Sequence, residues 1–306
     1  MKIAICISGF LRTWEYSKLS FLKHLVQNHD CDLFVHTYKQ NYFEYSSEVQ
    51  NVIYDEEIIV KMFDGFNLKK IVIEDRDKII DNIISSSLKY EQLSNYSYKI
   101  KESSDINSNK ISLGARIYDQ LRKIYLSNEL RKEYERKNNL NYDFYVKTRF
   151  DVLYIDKIDW SNFTEKNLVY IGNSGTAGFP DDLVGIGKEE PMNSYMDRFL
   201  NLDKMCFSTV NREEINPINW YPHHGNTIFP SDICAHDTLI RNLIHDGFDI
   251  KNGNFRNVLI RNKNHVLNWN HMNINGIQVA PSIVTNGCII GGNNSYFDVE
   301  QFNQSL

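Results

Sequence analysis

Apolar residues recur along this chain in two rhythms, one of strands and one of helices. Lys2 to Ser8 is a short run rich in β-branched residues and reads as a buried first strand. Trp14 to Gln27 then spaces Leu19, Leu22, Leu25 and Val26 as one face of a helix. Asp32 to Tyr38 (DLFVHTY) predicts a second strand, and Asn67 to Ile73 leads into a third. Asp75 to Leu93 returns to helical spacing, with Ile79, Ile80, Ile83 and Ile84 on one face. Strands that alternate with helices in this order predict an α/β fold, a mostly parallel Rossmann-type sheet flanked by helices.

Residues 95–110 are polar and aperiodic, the pattern of a surface loop. A strong helix is expected from Ser112, its N-cap, to Asn138, with Leu113, Ile117, Leu121 and Ile124 as its apolar stripe. Tyr142 to Leu153 (YDFYVKTRFDVL) is the most strand-like stretch of the chain. The second half is less regular. Short strands are expected over Asn167 to Gly172 and Asp182 to Gly187, and a helix over Pro191 to Leu202 with Met192, Tyr195, Met196 and Phe199 inward. A further helix runs from Ser231 to about Asp246, with Gly247 as its stop. Residues 203–230 read as a long connection, Phe248 to Ile250 and Asn257 to Ile260 as late strands, and the Gly- and Asn-rich tail from Gly287 as loop. No composition shift marks a linker, so one domain over 1–306 is the economical expectation.

Composition narrows the class. Hydrophobic residues at 42% and charged residues at 24% are ordinary globular usage, a poor fit to disorder, collagen or coiled coil. A net charge of −5 argues against a protein that wraps nucleic-acid phosphates. No stretch approaches the roughly 18 consecutive apolar residues of a membrane span. The opening MKIAICISGF turns polar at once in Arg12-Thr13-Trp14-Glu15, so a buried strand of a cytoplasmic protein is expected rather than a signal peptide. Five scattered cysteines (Cys6, Cys31, Cys206, Cys234, Cys288) without a CxxC suggest neither a disulfide framework nor a thiolate zinc site. The 18 Tyr and 17 Phe suit sugar stacking as well as core filling. Lys110, Arg116, Arg122, Lys123, Arg131, Lys132, Arg136 and Lys137 make the long helix basic, as a solvated face or a weak patch for anionic lipid.

Four places carry candidate chemistry. Ligands of open α/β sheets bind beyond the carboxyl ends of strands. Ser8 and Gly9 stand at that end of the first strand. Glycine lets the backbone turn and approach a ligand, Ser8 offers a hydroxyl, and Arg12 a phosphate contact, unless this is an ordinary strand-to-helix turn. Neither GxGxxG nor a P-loop pattern is present, which disfavours both phosphate-cradling motifs. Lys147-Thr148-Arg149-Phe150-Asp151 puts charge directly after an apolar strand. Asp151 can hold a divalent cation that binds a diphosphate, and Arg149 can neutralise a diphosphate itself, unless the two pair to close the strand. Asp181-Asp182 precedes an apolar run, and one carboxylate there suits a base or an acceptor anchor, or else plain turn chemistry. His223, His224, His236 and His271 show no zinc spacing; His271, close to Trp269, is the one that would complete a metal site begun by Asp151.

These stretches resemble a family. KIAICISGFLRTWEYSKLSFLKHLVQNHDCDLFVHTY is similar to the start of bacterial glycosyltransferases from capsule and lipopolysaccharide gene clusters, which have a GT-A type fold. Ser8-Gly9 with Arg12 resembles their Ser-Gly-x-x-Arg turn, and Phe34-Val35-His36-Thr37 their Phe-x-His-Thr segment. Ala115 to Tyr125 followed by YDFYVKTRFDVLY resembles the family's helix and its strand ending in Arg-x-Asp. Asp182 to Gly187 with Met192, and Ala235-His236-Asp237-Thr238-Leu239-Ile240 with Asp237 in a Glu position, resemble its later segments. The pieces span most of residues 1–250.

The resemblance implies a nucleotide-sugar-binding half over 1–155 and an acceptor-binding half over 156–306. It implies that Ser8, Gly9 and Arg12 touch the nucleotide, and that Gln120 and its helix face the donor. Asp151 would be the last acid of a DxD-like element that holds Mn²⁺ or Mg²⁺. Arg149 stands where the first acid of that element is expected. Either Asp151 works with another ligand such as His271, or cationic side chains hold the diphosphate without a metal. The reaction implied is transfer of a sugar from a nucleotide-diphosphate donor to a surface-glycan acceptor, free or lipid-linked, in the cytoplasm and with possible docking at the inner face of the membrane. Leaving-group charge falls to a metal, Arg149 or Arg12, and Asp182, with Asp237 in reserve, is the candidate base for an inverting attack. Two other readings stand: a non-catalytic glycan-binding or scaffold protein, and a phosphoryl- or nucleotidyl-type transferase acting on polysaccharide. The latter calls for a Lys/Arg-rich triphosphate loop near the first turn, where only Arg12 is present.

Overall fold

A computed structural model of the chain describes residues 1–41, 52–76, 113–173, 182–202 and 235–262, with short segments at 265–267, 272–274, 277–279, 283–285, 288–290, 303–304 and 306. The chain opens with β1 (Lys2–Gly9), α1 (Trp14–Ser20, continued as π-helix over Phe21–Val26) and β2 (Asp30–Tyr38). A short antiparallel pair follows, β3 (Gln40–Asn41) with β4 (Val52–Ile53), then α2 (Glu56–Lys61) and β5 (Leu68–Glu74). The long α3 (Leu113–Asn138) leads to β6 (Phe144–Thr148), β7 (Val152–Tyr154), β8 (Leu168–Asn173) and β9 (Gly185–Gly187). Then come α4 (Glu189–Asp197), α5 (Ala235–His245), β10 (Asp249–Asn262) and β11 (His265–Leu267).

Nine strands form one sheet in the order β11-β10-β8-β9-β6-β1-β2-β5, with β7 paired to β10 off that path. β5, β2, β1 and β6 are parallel neighbours, β8 and β10 are parallel to each other, and β9 runs antiparallel between β6 and β8. The fold is therefore α/β with a mostly parallel sheet, as the alternation of patterns predicts. Period-two alternation splits the central strands between two cores. Ile3, Ile5, Ile7, Leu33, Val35 and Val146 face one, under α1 and α2; Ala4, Cys6, Phe34 and Tyr145 face the other, under α3, α4 and α5. Strands buried on both faces read as unbroken apolar runs, which is why β1 and β2 are so legible. Trp14 anchors the first core, with its ring 5.3 Å from Phe21, 5.6 Å from Phe63 and 5.6 Å from Phe150. Cys6 and Cys31 are free and buried, and burial pushes both thiols up to about 12.

Several expectations are corrected. The single strand over Tyr142 to Leu153 is two: β6 pairs with β1, the chain turns at Arg149–Asp151, and β7 pairs with β10. The charged pair binds other charges at the sheet edge, so the ladder stops there. The late strands are one, since β10 runs through Gly253 and Asn254 with a register shift between Asn252 and Arg256 and Asn254 at φ 56°. The helix expected from Pro191 begins at Glu189 and ends in a 3₁₀ turn, Arg198–Asn201. Strand pairing also extends past Gly287, as Ile283–Thr285 pairs with Cys288–Ile290. The basic helix is neither a solvated face nor a lipid patch throughout. Lys123 and Arg131 are buried, and Arg122 and Lys132 are ion-paired. Most of the helix over 75–93, the loop over 95–110 and the connection over 203–230 lie outside the described residues, as do residues 231–234 before α5. Among the described residues, no helix is long and apolar enough to cross a membrane.

Candidate functional site

The parallel strands end in a row. Their register sets Gly9 beside Thr37, Tyr38 beside Glu74, and Ile7 beside Thr148. β9 starts with Gly185 opposite Lys147, which leaves Asp182, Leu183 and Val184 beyond the same edge. The early turns of α3 reach this edge too, through Asp119, Gln120 and Arg122. Polar side chains from five segments therefore meet where an open α/β sheet binds its ligands.

Gly9 makes the turn out of β1. Its φ is +134°, a conformation L residues rarely adopt, and its carbonyl accepts a 2.8 Å hydrogen bond from Thr37 Oγ1. A Cβ there would lie 3.8 Å from Phe150, an ordinary contact, so the demand for glycine comes from the backbone. Gly9→Ala is expected to cost about 1–3 kcal/mol, read as a lower urea midpoint at unchanged m-value. A midpoint equal to wild type would show that the turn relaxes freely.

The turn carries Arg12 to a buried carboxylate. Arg12 Nη2 donates to Asp151 Oδ2 at 2.9 Å. Arg149 grips the same carboxylate bidentately, Nε to Oδ1 at 2.8 Å and Nη2 to Oδ2 at 2.9 Å. The Asp151 side chain is 4% exposed, Arg12 9% and Arg149 20%. The pair that closes the strand thus forms, and a second arginine joins it. Among the described residues, two guanidiniums thus share one carboxylate in a poorly hydrated place. Arg12 Nε is buried and has no hydrogen-bond partner among the described residues.

A second polar group lies beside it, over the ends of β2 and β5. The Lys123 ammonium pairs with Asp119 at 3.0 Å and sits 4.4 Å from the Phe10 ring centroid and 4.5 Å from that of Tyr38. The Tyr38 hydroxyl donates to Asp119. Burial lowers the Lys123 pKa, and Arg76 and Arg149 nearby push the same way, against the pull of Asp119. Burial likewise raises Tyr38, and the Asp119 charge adds to it. Arg122 holds Glu74 through two bonds of 2.8 and 2.6 Å, and His36 Nε2 stands 3.4 Å from Glu74. Burial pulls the Glu74 carboxyl upward, but Arg122 and His36 outweigh it and hold the group at about 2, below its ordinary 4.5. Burial lowers His36 despite Glu74.

A carboxyl depressed in the fold stabilises it above the unfolded pKa. Stability contributed by Glu74 is therefore expected to decline as pH falls from 4.5 toward 2. Urea midpoints of wild type and Glu74→Gln across that range check this. The wild-type curve should fall more steeply, whereas parallel curves would contradict the linkage.

The third group surrounds Asp182. Gln120 Nε2 donates to Asp182 Oδ2 at 2.7 Å. The ammonium of wholly buried Lys147 donates to the Asp182 main-chain carbonyl, and Tyr195 Oη donates to the same oxygen at 3.1 Å. Amide, ammonium and phenol together fix where this carboxylate stands.

The residues singled out in the sequence are thus partly brought together. Ser8, Gly9, Arg12, Arg149 and Asp151 share one edge, and Gln120 and Asp182 touch. Asp237 falls in α5, with its side chain outside the described residues, and His271 lies outside them altogether. Tyr38, Glu74, Asp119 and Arg122 are not among the site residues that the sequence singles out. Asp119 and Lys123, four apart on a helix, have the spacing of an ordinary surface pair, and burial alone distinguishes them.

A divalent cation does not suit this donor set. Both Asp151 oxygens are taken by guanidinium N–H groups, so a metal would have to displace two arginines and meet their charge. Among the described residues no group of three His, Cys, Asp or Glu is placed to hold a metal. The arrangement suits an anion instead, with two forked cations close enough to share its charge. Compared with known proteins, the chain matches no family model and no curated protein.

Proposed function

We propose that the chain is a nucleotide-sugar-dependent glycosyltransferase of the GT-A type that acts on a bacterial surface glycan. The observation that carries this reading is the Arg12–Asp151–Arg149 cluster at the carboxyl edge of β1 and β6. It lies at the strand ends where the resemblance implies that a diphosphate is held, and two guanidiniums close together suit one. In this reading Asp151 orients the two arginines rather than a metal. Arg12 and Arg149 stabilise charge that grows on the diphosphate as the anomeric bond breaks. Asp182, held by Gln120, takes the proton of the acceptor hydroxyl. A thermal-shift panel of UDP-, GDP- and CMP-sugars tests it, because a ligand that binds the native state raises its melting point. One nucleotide class should raise it in the presence of EDTA. No response from any nucleotide in a folded sample would move the weight to a non-catalytic glycan-binding protein.

A further inference from the structure

Asn-Gly pairs stand in the sequence at 252–253, 275–276 and 286–287, and the latter two lie outside the described residues. The first lies in β10, where that strand leaves its ladder. β10 pairs with β8 at Asn252, opposite Ile171, and next at Arg256, opposite Asn173. Among the described residues, no strand is paired with Gly253, Asn254 or Phe255. Asn254 is left-handed at φ 56°, and its N–H donates to Asn252 Oδ1 at 2.8 Å. This turn folds the Asn252 amide back over the main chain, where a regular strand would hold it out from the sheet. Asn252 and Asn254 are both exposed. Packing demands glycine at 253, since a Cβ there would stand 2.5 Å from the Phe255 ring and 3.3 Å from the Ile171 carbonyl oxygen. The same bare Cα leaves the 253 nitrogen unhindered by a side chain of its own. The fold thus requires the residue that makes the preceding asparagine labile.

We infer that Asn252-Gly253 is a site of spontaneous deamidation in the folded protein. The Gly253 main-chain nitrogen gives its proton to a solvent base and attacks Asn252 Cγ. As the N–Cγ bond forms, negative charge develops on Oδ1, where the Asn254 N–H already points. The Cγ–Nδ2 bond then breaks, and Nδ2 leaves as ammonia with a proton from solvent. Water opens the resulting succinimide at either carbonyl, and nothing is oxidised or reduced. The product at position 252 is aspartate, or isoaspartate with a main chain longer by a methylene. That methylene falls ahead of the stretch of β10 that pairs with β7, whose Val152 adjoins Asp151.

The test is ageing of the full chain in mildly alkaline buffer, read by mass analysis and an isoaspartate methyl-transfer assay on the peptide that spans 252. One sample stays folded and a second is held in guanidinium chloride, which gives the rate that the local sequence alone supports. The folded sample should convert at 252 within about tenfold of that rate, a barrier difference under about 1.4 kcal/mol. Both aspartate and isoaspartate should form. Asn252→Gln should leave the peptide unaltered, because attack on a glutamine must close a larger ring. Conversion slower than this in the folded sample overturns the proposal, since the strand then shields the amide. So does a product that is aspartate alone, which marks direct hydrolysis by water instead of attack by Gly253. A peptide that ages alike in Asn252→Gln and wild type overturns it too, by placing the reaction elsewhere. The wild-type comparison stands whether or not the variant folds.

Discussion

Asp182→Asn is expected to lower sugar transfer by about 10²- to 10⁴-fold, the usual worth of a positioned base, with nucleotide binding intact. The substitution keeps the size of the side chain and removes its charge. Gln120 Nε2 can still donate to the remaining carbonyl oxygen, and the contacts of Lys147 and Tyr195 are to the main chain. Among the contacts of the described residues, the change falls on the carboxylate's charge alone. The assay is release of nucleoside diphosphate with donor and acceptor, beside a binding titration. Unaltered turnover would remove Asp182 as the base and point to a reaction in which the leaving phosphate takes the proton.

Asp151→Asn should be the most disruptive single change at the sheet edge. It removes the charge of the carboxylate that Arg12 and Arg149 share, with Arg12 at 9% exposure. Breaking a buried ion pair from one side costs about 3–5 kcal/mol. For a chain of this size that is a fall in melting temperature on the order of 10 °C. A bound diphosphate supplies the missing charge, so nucleotide should recover more stability in the variant than in wild type. A metal-site role for Asp151 predicts the opposite, a milder structural loss and a nucleotide response that disappears.

The strands and the main helix were legible because each carries one dominant period. β1 and β2, buried on both faces, and α3, with Leu121 and Ile124 in its stripe, show that plainly. Illegible were features set by partners distant in sequence. Arg149 and Asp151 sit inside what reads as a continuing strand, yet the chain turns there and Asp151 meets Arg12, 139 positions earlier. The late strands read as two, over Phe248 to Ile250 and Asn257 to Ile260, yet β10 runs through Gly253 and Asn254 with a register shift. The site was half legible for the same reason. Residues next to a strand end, such as Ser8, Gly9 and Asp151, are marked by local pattern. Lys123, Asp119 and Arg131 look like surface charges on a helix. Their burial follows from how α3 crosses the sheet, which no local pattern encodes.

The central claim is that arginines, not a metal, hold the diphosphate. Calorimetric titration of UDP, GDP and CMP into wild type and Arg12→Gln, with EDTA and then with Mn²⁺, tests it directly. The account predicts that one nucleotide binds wild type in EDTA, that Mn²⁺ adds little, and that Arg12→Gln weakens binding by about tenfold or more, the loss of a charge-assisted bond worth about 1.5–3 kcal/mol. Binding that requires Mn²⁺ and is indifferent to Arg12 would contradict it.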